Sequence, residues 1–190
     1  MIQSVKFDSS NMDIKKLANT VTTFIIKRLI ETTGIAVSFL GLLLLIALIS
    51  YSPSDPNFIF PDNTNIRNII GFRGSYLSDL FFQSIGLISY LVPITFIFTG
   101  ISIFKKKELF LIIQNTFYIT LYSLTGSLFF NYFYTNSFTL YINGNGGFIG
   151  SYLNKSFLNN SINSYENIAF YFFIILTIFL FLISITFNPK

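Results

Sequence analysis

The sequence predicts an all-α membrane protein with four transmembrane helices in two parallel repeated halves. Each half carries a short amphipathic helix in its extracytoplasmic loop. Three observations lead there. Of 190 residues, 52% are hydrophobic and only 11% are charged, against about 25% charged in an ordinary soluble domain. The charges divide the chain into four long uncharged stretches, at about 32–51, 80–104, 109–130 and 168–187. A seven-residue motif also occurs twice, once in each half.

Each stretch reaches the ~20 residues that a helix needs to cross a hydrocarbon core. Four buried helices in a soluble protein would need a large polar shell, and 12 basic and 8 acidic side chains are too few to build one. Abundant Ile and Phe locally resemble strand composition. A membrane barrel alternates polar and apolar positions, however, and Leu42-Leu43-Leu44-Leu45-Ile46 does not alternate. Helices also satisfy their own backbone in lipid, so helices are expected.

Taken in order, residues 1–30 hold Asp8, Asp13, Lys15 and Lys16 and read as a solvated cytoplasmic tail, with Leu17 to Ile30 as a helix near the membrane surface. Residues 31–187 form the transmembrane domain and 188–190 a cytoplasmic end. The first span is an uncleaved anchor, because no A-x-A site follows it at Ile49-Ser50-Tyr51-Ser52-Pro53. Pro93 and Gly100 are placed to kink the second span. Gln114, Asn115 and Thr116 give the third span a polar patch. Gly34 and Gly41, and Gly126 with Ser127, allow close helix contact without forming a G-x-x-x-G pattern.

Lys and Arg set the direction. Nine of the 12 lie before the first span, in the Lys105-Lys106-Lys107 loop, or after the fourth span; Arg67, Arg73 and Lys155 lie in the other connections. Both termini and the middle loop are therefore expected in the cytoplasm. The lysine run stops a helix at anionic headgroups and needs no specific partner.

Gly71-Phe72-Arg73-Gly74-Ser75-Tyr76-Leu77 recurs as Gly147-Phe148-Ile149-Gly150-Ser151-Tyr152-Leu153, six of seven residues matching at an offset of 76. The same offset relates the starts of spans one and three, so duplication is the better account. Both halves then begin on the cytoplasmic side, unlike the inverted repeats of transporters. Beyond Leu77, Leu80, Phe81, Ile85 and Ile88 define an apolar helical face, with Ser75, Asp79 and Gln83 on another. In the second copy Ile149, Leu153 and Phe157 lie opposite Ser151, Lys155 and Asn159. Gly71, Gly74, Gly147 and Gly150 let the backbone turn sharply and pack closely. Tyr76 and Tyr152 complete the motif. Asp79 is expected at the hydrated interface, where a proton-relay role is remote.

The chain has no Cys and no His, which excludes a disulfide, a thiol nucleophile, a Ser-His-Asp triad and a His/Cys zinc site. Asp55, Asp62, Asp79 and Glu166 read as ordinary loop acids. We assign no catalytic residue, cofactor or metal ligand. A net charge of +4 is too modest to indicate nucleic-acid binding.

Four segments together resemble a known family. They are Ser50-Tyr51-Ser52-Pro53-Ser54-Asp55-Pro56, then Gly71-x-x-Gly74-Ser75-Tyr76-Leu77-Ser78-Asp79-Leu80-Phe81, then Gly86-Leu87-Ile88-Ser89-Tyr90-Leu91-Val92-Pro93, and finally Gly146-Gly147-Phe148-Ile149-Gly150. Following a cytoplasmic tail and span, this order is similar to the N-terminal four-span membrane domain of the FtsK/SpoIIIE DNA translocases, over roughly residues 30–187. The resemblance implies septal anchoring, self-association and contact with division proteins, ahead of a hexameric ATP-driven motor. No G-x-x-x-x-G-K-[ST] loop is present in this sequence, so the motor is not carried over and no direct nucleic-acid contact is expected. Ending at Asn188-Pro189-Lys190, directly after span four, suggests a truncated product or a split gene, and an intact motor would continue from Lys190 into the cytoplasm. The alternative is a small polytopic transporter or channel subunit built around Thr95, Thr99, Gln114, Asn115 and Thr116. Such residues more often bond neighbouring helices than bind a solute.

Overall fold

A single helix, α1, runs unbroken from Lys6 to Ile49, 44 residues or about 66 Å at 1.5 Å per residue. The computed structural model describes residues 6–56, 65–134, 143–155, 162 and 164–185, all helix or connection without a strand among them. After α1 come α2 (Phe72–Ile85), a 3-10 turn (Gly86–Tyr90), α3 (Leu91–Lys106), α4 (Phe110–Phe133), α5 (Gly147–Asn154) and α6 (Glu166–Ser184). The expected tail is thus helical well before Leu17 and continuous with the first span. No Gly or Pro interrupts residues 6–33, so nothing in that sequence stops the helix.

Three helical stretches are long and apolar enough to cross a membrane: Ile14–Ile49, Phe72–Lys106 and Glu166–Ser184. α4 has the length at 24 residues, but Gln114, Asn115 and its hydroxyl side chains keep its hydropathy below theirs. By length and composition the described residues therefore supply three candidate spans, against the four expected.

The stretch expected to span as 80–104 is divided. α2 ends at Ile85, and Gly86 follows with φ 67° and ψ −143°, a backbone conformation that favours glycine. The chain then tightens into the 3-10 turn before α3 begins. Pro93 consequently lies in the first turn of α3. There a missing N–H costs no helix hydrogen bond, so Pro93 starts a helix instead of kinking one.

Side-chain pairings show α1, α3, α4 and α6 alternating in direction. Gly34 lies against Gly100, Gly41 against Phe96 and Ile97, and the Ser38 hydroxyl donates to Ile97 O at 3.0 Å. Gly34, Ser38 and Gly41 share one face of α1 at spacings of four and three. A Cβ on Gly34 or Gly100 would overlap the other's carbonyl oxygen. Phe170 of α6 meets Phe129 and Phe133 of α4 at 5.3 and 5.0 Å, while Phe181 meets Tyr122 at 5.9 Å. Ile85, Ile88, Val92 and Tyr122 form the buried centre, and Leu48 with Phe82 a second cluster.

Several polar side chains inside this bundle pair with one another. Thr95 Oγ1 lies 3.1 Å from Tyr122 Oη and 3.0 Å from Ser184 Oγ, and Thr177 donates to Thr125 at 2.9 Å. Asn115 Nδ2 donates to Thr99 Oγ1 at 2.7 Å. At one end of the bundle Glu31 accepts from Arg28 at 2.6 Å and pairs with Lys107. Lys107 reaches it from a left-handed cap at the end of α3, φ 60°. The opposite end holds both motif copies.

Candidate functional site

The first motif copy is built around the end of α1. The last carbonyls of a helix have no partner within it. Here Asn68 Nδ2 donates to Ala47 O at 2.8 Å and to Ser50 O at 3.3 Å, closing the helix with a side chain from the returning loop. The carboxylate of buried Asp55 accepts the backbone N–H groups of Arg67 (3.0 Å) and Asn68 (2.8 Å), joining the residues on either side of 57–64. Gly71 then opens α2 with φ 77° and ψ −157°. A Cβ there would touch nothing within 4 Å, so backbone conformation alone calls for glycine. Gly74 is the reverse case: a Cβ would overlap Asn68 Oδ1 and crowd Ile70.

The polar positions of α2 do not face water as the helical spacing suggested. Ser75, Ser78 and Asp79 are buried, while Leu77 and Leu80 are exposed. The Ser75 hydroxyl donates to Pro56 O at 2.9 Å, and Tyr51 Oη donates to Asp79 Oδ1 at 3.0 Å. Asp79 is 6% exposed, not at a hydrated interface, because the Ser50–Pro56 segment folds over that face and brings its own polar groups. Tyr51, Phe82 and Tyr90 pack in series beside it, at 4.9 and 5.2 Å. Tyr76 is half-buried.

The second copy repeats the device at α4. Asn145, preceding the motif as Asn68 does, donates its amide to Tyr134 O at that helix's end. Gly147 begins α5 with φ 64°, and a Cβ would come within 2.6–2.7 Å of Gly86 and Ile85 backbone nitrogens. Gly150 lies against Ser127 and Asn131. Tyr152 differs from Tyr76: it is 68% exposed and stacks on Phe148 at 6.1 Å. Phe157 and Asn159, expected on the same short helix, lie outside the described residues.

The two copies meet at the end of α2. Leu87 N donates to Asn145 O at 2.9 Å, and the Ser127 hydroxyl donates to Ile85 O at 2.9 Å. Asn143 donates through its backbone and its amide to Gln83, at 3.2–3.3 Å. The structure therefore brings Gly147 beside the end of α2 and Gly150 against α4, while Gly74 and Asp79 stand near the end of α1 through Asn68 and Tyr51 and Pro93 stands apart in α3. Asp55, Asn68 and Asn145 were not singled out by sequence reasoning as organising residues. Their signal was an Asn two or three places before each Gly-Phe pair. Among the described residues, no three acidic side chains gather to hold a metal ion. Among the described residues the arrangement is a set of helix caps and close backbone contacts.

Residues 26–189 match the family described as the 4TM region of DNA translocase FtsK/SpoIIIE. The chain belongs to that family. It is similar to the DNA translocase FtsK of Rickettsia bellii (strain RML369-C), 24% identical over 157 residues, which are 82% of this chain and 20% of that protein. The DNA translocase FtsK of Azospirillum brasilense is 36% identical over 73 residues, 37% of this chain and 12% of that one. That of Pseudomonas putida is 35% identical over 82 residues, 43% and 10% respectively. This FtsK/SpoIIIE membrane region thus spans about a tenth to a fifth of the length of these relatives. No solved structure matches it. The family match includes both motif copies and the hydroxyl contacts between α3, α4 and α6.

Proposed function

We propose that the chain is the non-catalytic membrane anchor of an FtsK/SpoIIIE-type translocase, holding such a protein in the inner membrane at the division septum and associating with further copies of itself. The observation that carries this reading is the family match across residues 26–189. All four of α1, α3, α4 and α6 would cross, with residues 1–30, the α3–α4 turn and residues 188–190 in the cytoplasm. The antiparallel pairing supports that count, as α4 alternates direction with its neighbours despite its polar side chains. Arg28 and Lys105 to Lys107 stand at one end of the bundle and both motif copies at the other, which supports the orientation.

The similar placement of the two motif copies, each capping the helix before it, supports duplication as two parallel halves. No direct nucleic-acid contact is assigned to these residues. The transporter alternative gains nothing from Thr95, Thr99 and Asn115, whose hydrogen bonds go to other helices and to backbone.

A fluorescent fusion of the full chain in dividing cells tests the reading. Enrichment at the septum supports it; a uniform membrane signal unaffected by depletion of division proteins overturns septal anchoring. Crosslinking in native membranes reads self-association separately, and a strictly monomeric result overturns that part.

A further inference from the structure

α3 packs on both α1 and α4, but α1 and α4 do not meet among the described residues. Between them lies a cleft of about 130 Å³, lined by Val37 and Leu40 of α1, Phe96 and Thr99 of α3, and Ile112 and Asn115 of α4. The lining is mostly apolar: Asn115 Nδ2 donates to Thr99 Oγ1, which itself donates to Thr95 O at 2.7 Å, and Thr116 adds one further hydroxyl. An occupant therefore meets an apolar surface. The volume suits a few methylenes of one acyl chain and excludes a second helix, which is about 10–12 Å across with its side chains.

Beyond Thr99, α3 runs to a cationic end, with Lys105 and Lys106 in its last turn. Lys106 follows Thr99 by two turns on the same face of α3, about 10 Å along the axis. Lys105 and Lys106 are exposed, whereas Lys107 is engaged with Glu31. Glu108 is the acid beside them, outnumbered by the lysines.

We propose that the cleft and these lysines form a site for one anionic phospholipid, with its chain between α1, α3 and α4 and its phosphate against Lys105 and Lys106. A basic rim over an interhelical cleft is the arrangement that recognises an anionic headgroup. The inference rests on the reading that these helices are embedded in a bilayer.

Native mass spectrometry of the full chain in detergent, with phosphatidylglycerol and phosphatidylcholine of identical acyl chains as probes, tests it. Preferential retention of phosphatidylglycerol is expected, falling about fivefold for each of Lys105→Gln and Lys106→Gln. Leu40→Trp, which fills the cleft and keeps every charge, should remove the bound lipid while circular dichroism shows unchanged helicity. The control Lys15→Gln/Lys16→Gln removes two charges far from the cleft, more than either single change, and should change nothing. Equal retention of both lipids overturns the site, as does full retention in Leu40→Trp or equal loss in the control. A dimer that forms only when lipid is stripped would assign the cleft to a second copy and also overturn it. Recovery of a soluble, helical chain without detergent would overturn membrane embedding itself, a separate failure.

Discussion

Tyr51, two residues beyond the end of α1, donates its hydroxyl to Asp79 of α2 across 3.0 Å. The contact ties the C-terminal end of the first helix to the middle of the motif helix and gives a buried carboxylate a donor. Tyr51→Phe removes the donor and leaves the acid in place, so it should cost about 1–3 kcal/mol. Asp79→Asn keeps an acceptor for the hydroxyl and should cost less. Thermal unfolding of the detergent-solubilised variants measures the difference, and the opposite order would show that Asp79 depends on other contacts.

Gly71 and Gly86 share a positive φ but differ in surroundings. Gly71→Ala meets no atom within 4 Å, so its loss should be limited to backbone strain of about 1–3 kcal/mol. Gly86→Ala adds an overlap with the Asn145 carbonyl and should be clearly the more damaging change. Comparing their unfolding midpoints separates strain from collision.

The α1–α3 contact depends on absent side chains more than on its hydrogen bond. Ser38→Ala loses the donation to Ile97 O and should cost about 0.6 kcal/mol. Gly100→Leu forces the helices apart and should cost about 1–3 kcal/mol. A disulfide trap between neighbouring positions on the two helices would form readily in the first variant and slowly in the second.

Glu31 faces Arg28 and Lys107 together. Glu31→Lys places three cations in one corner and should lower stability, and Lys107→Glu should do likewise. The double exchange Glu31→Lys/Lys107→Glu should recover part of what either single change loses. Unfolding midpoints of the four proteins form the cycle, and additivity would show that the pair is uncoupled.

Orientation has a direct readout because the chain contains no cysteine, so any introduced thiol is unique. Asn143→Cys should react with a membrane-impermeant maleimide in intact cells. Lys106→Cys should react only after permeabilisation. Reversed labelling would invert the proposed topology.

The helical class was legible because hydropathy is a local property of the sequence. The family could also be read, from spaced Gly, Tyr and Pro residues outside the uniform apolar runs. Less legible were the events at Gly86 and on α2. An uncharged run across residues 80–104 looks like one span, since hydropathy does not register a glycine whose positive φ ends α2 against the Asn145 carbonyl. The buried polar face of α2 escaped for a related reason. Helical spacing shows which residues share a face, but the Pro56 carbonyl and the Tyr51 hydroxyl decide what that face meets. Pro93 was read by its residue type, and only its place in the first turn made it harmless.

The lock between Gln83 and Asn143, 60 positions apart, also has a bearing on synthesis. At about 5–20 residues per second, a ribosome completes the receiving end of α2 several seconds before its partners emerge. In that interval the carbonyls of Gln83 and Ile85 and the N–H of Leu87 must rely on water. Membrane insertion of the first half is thus expected to stay reversible at this junction until Asn143 and Asn145 arrive, making the second half a late-acting clasp on the first.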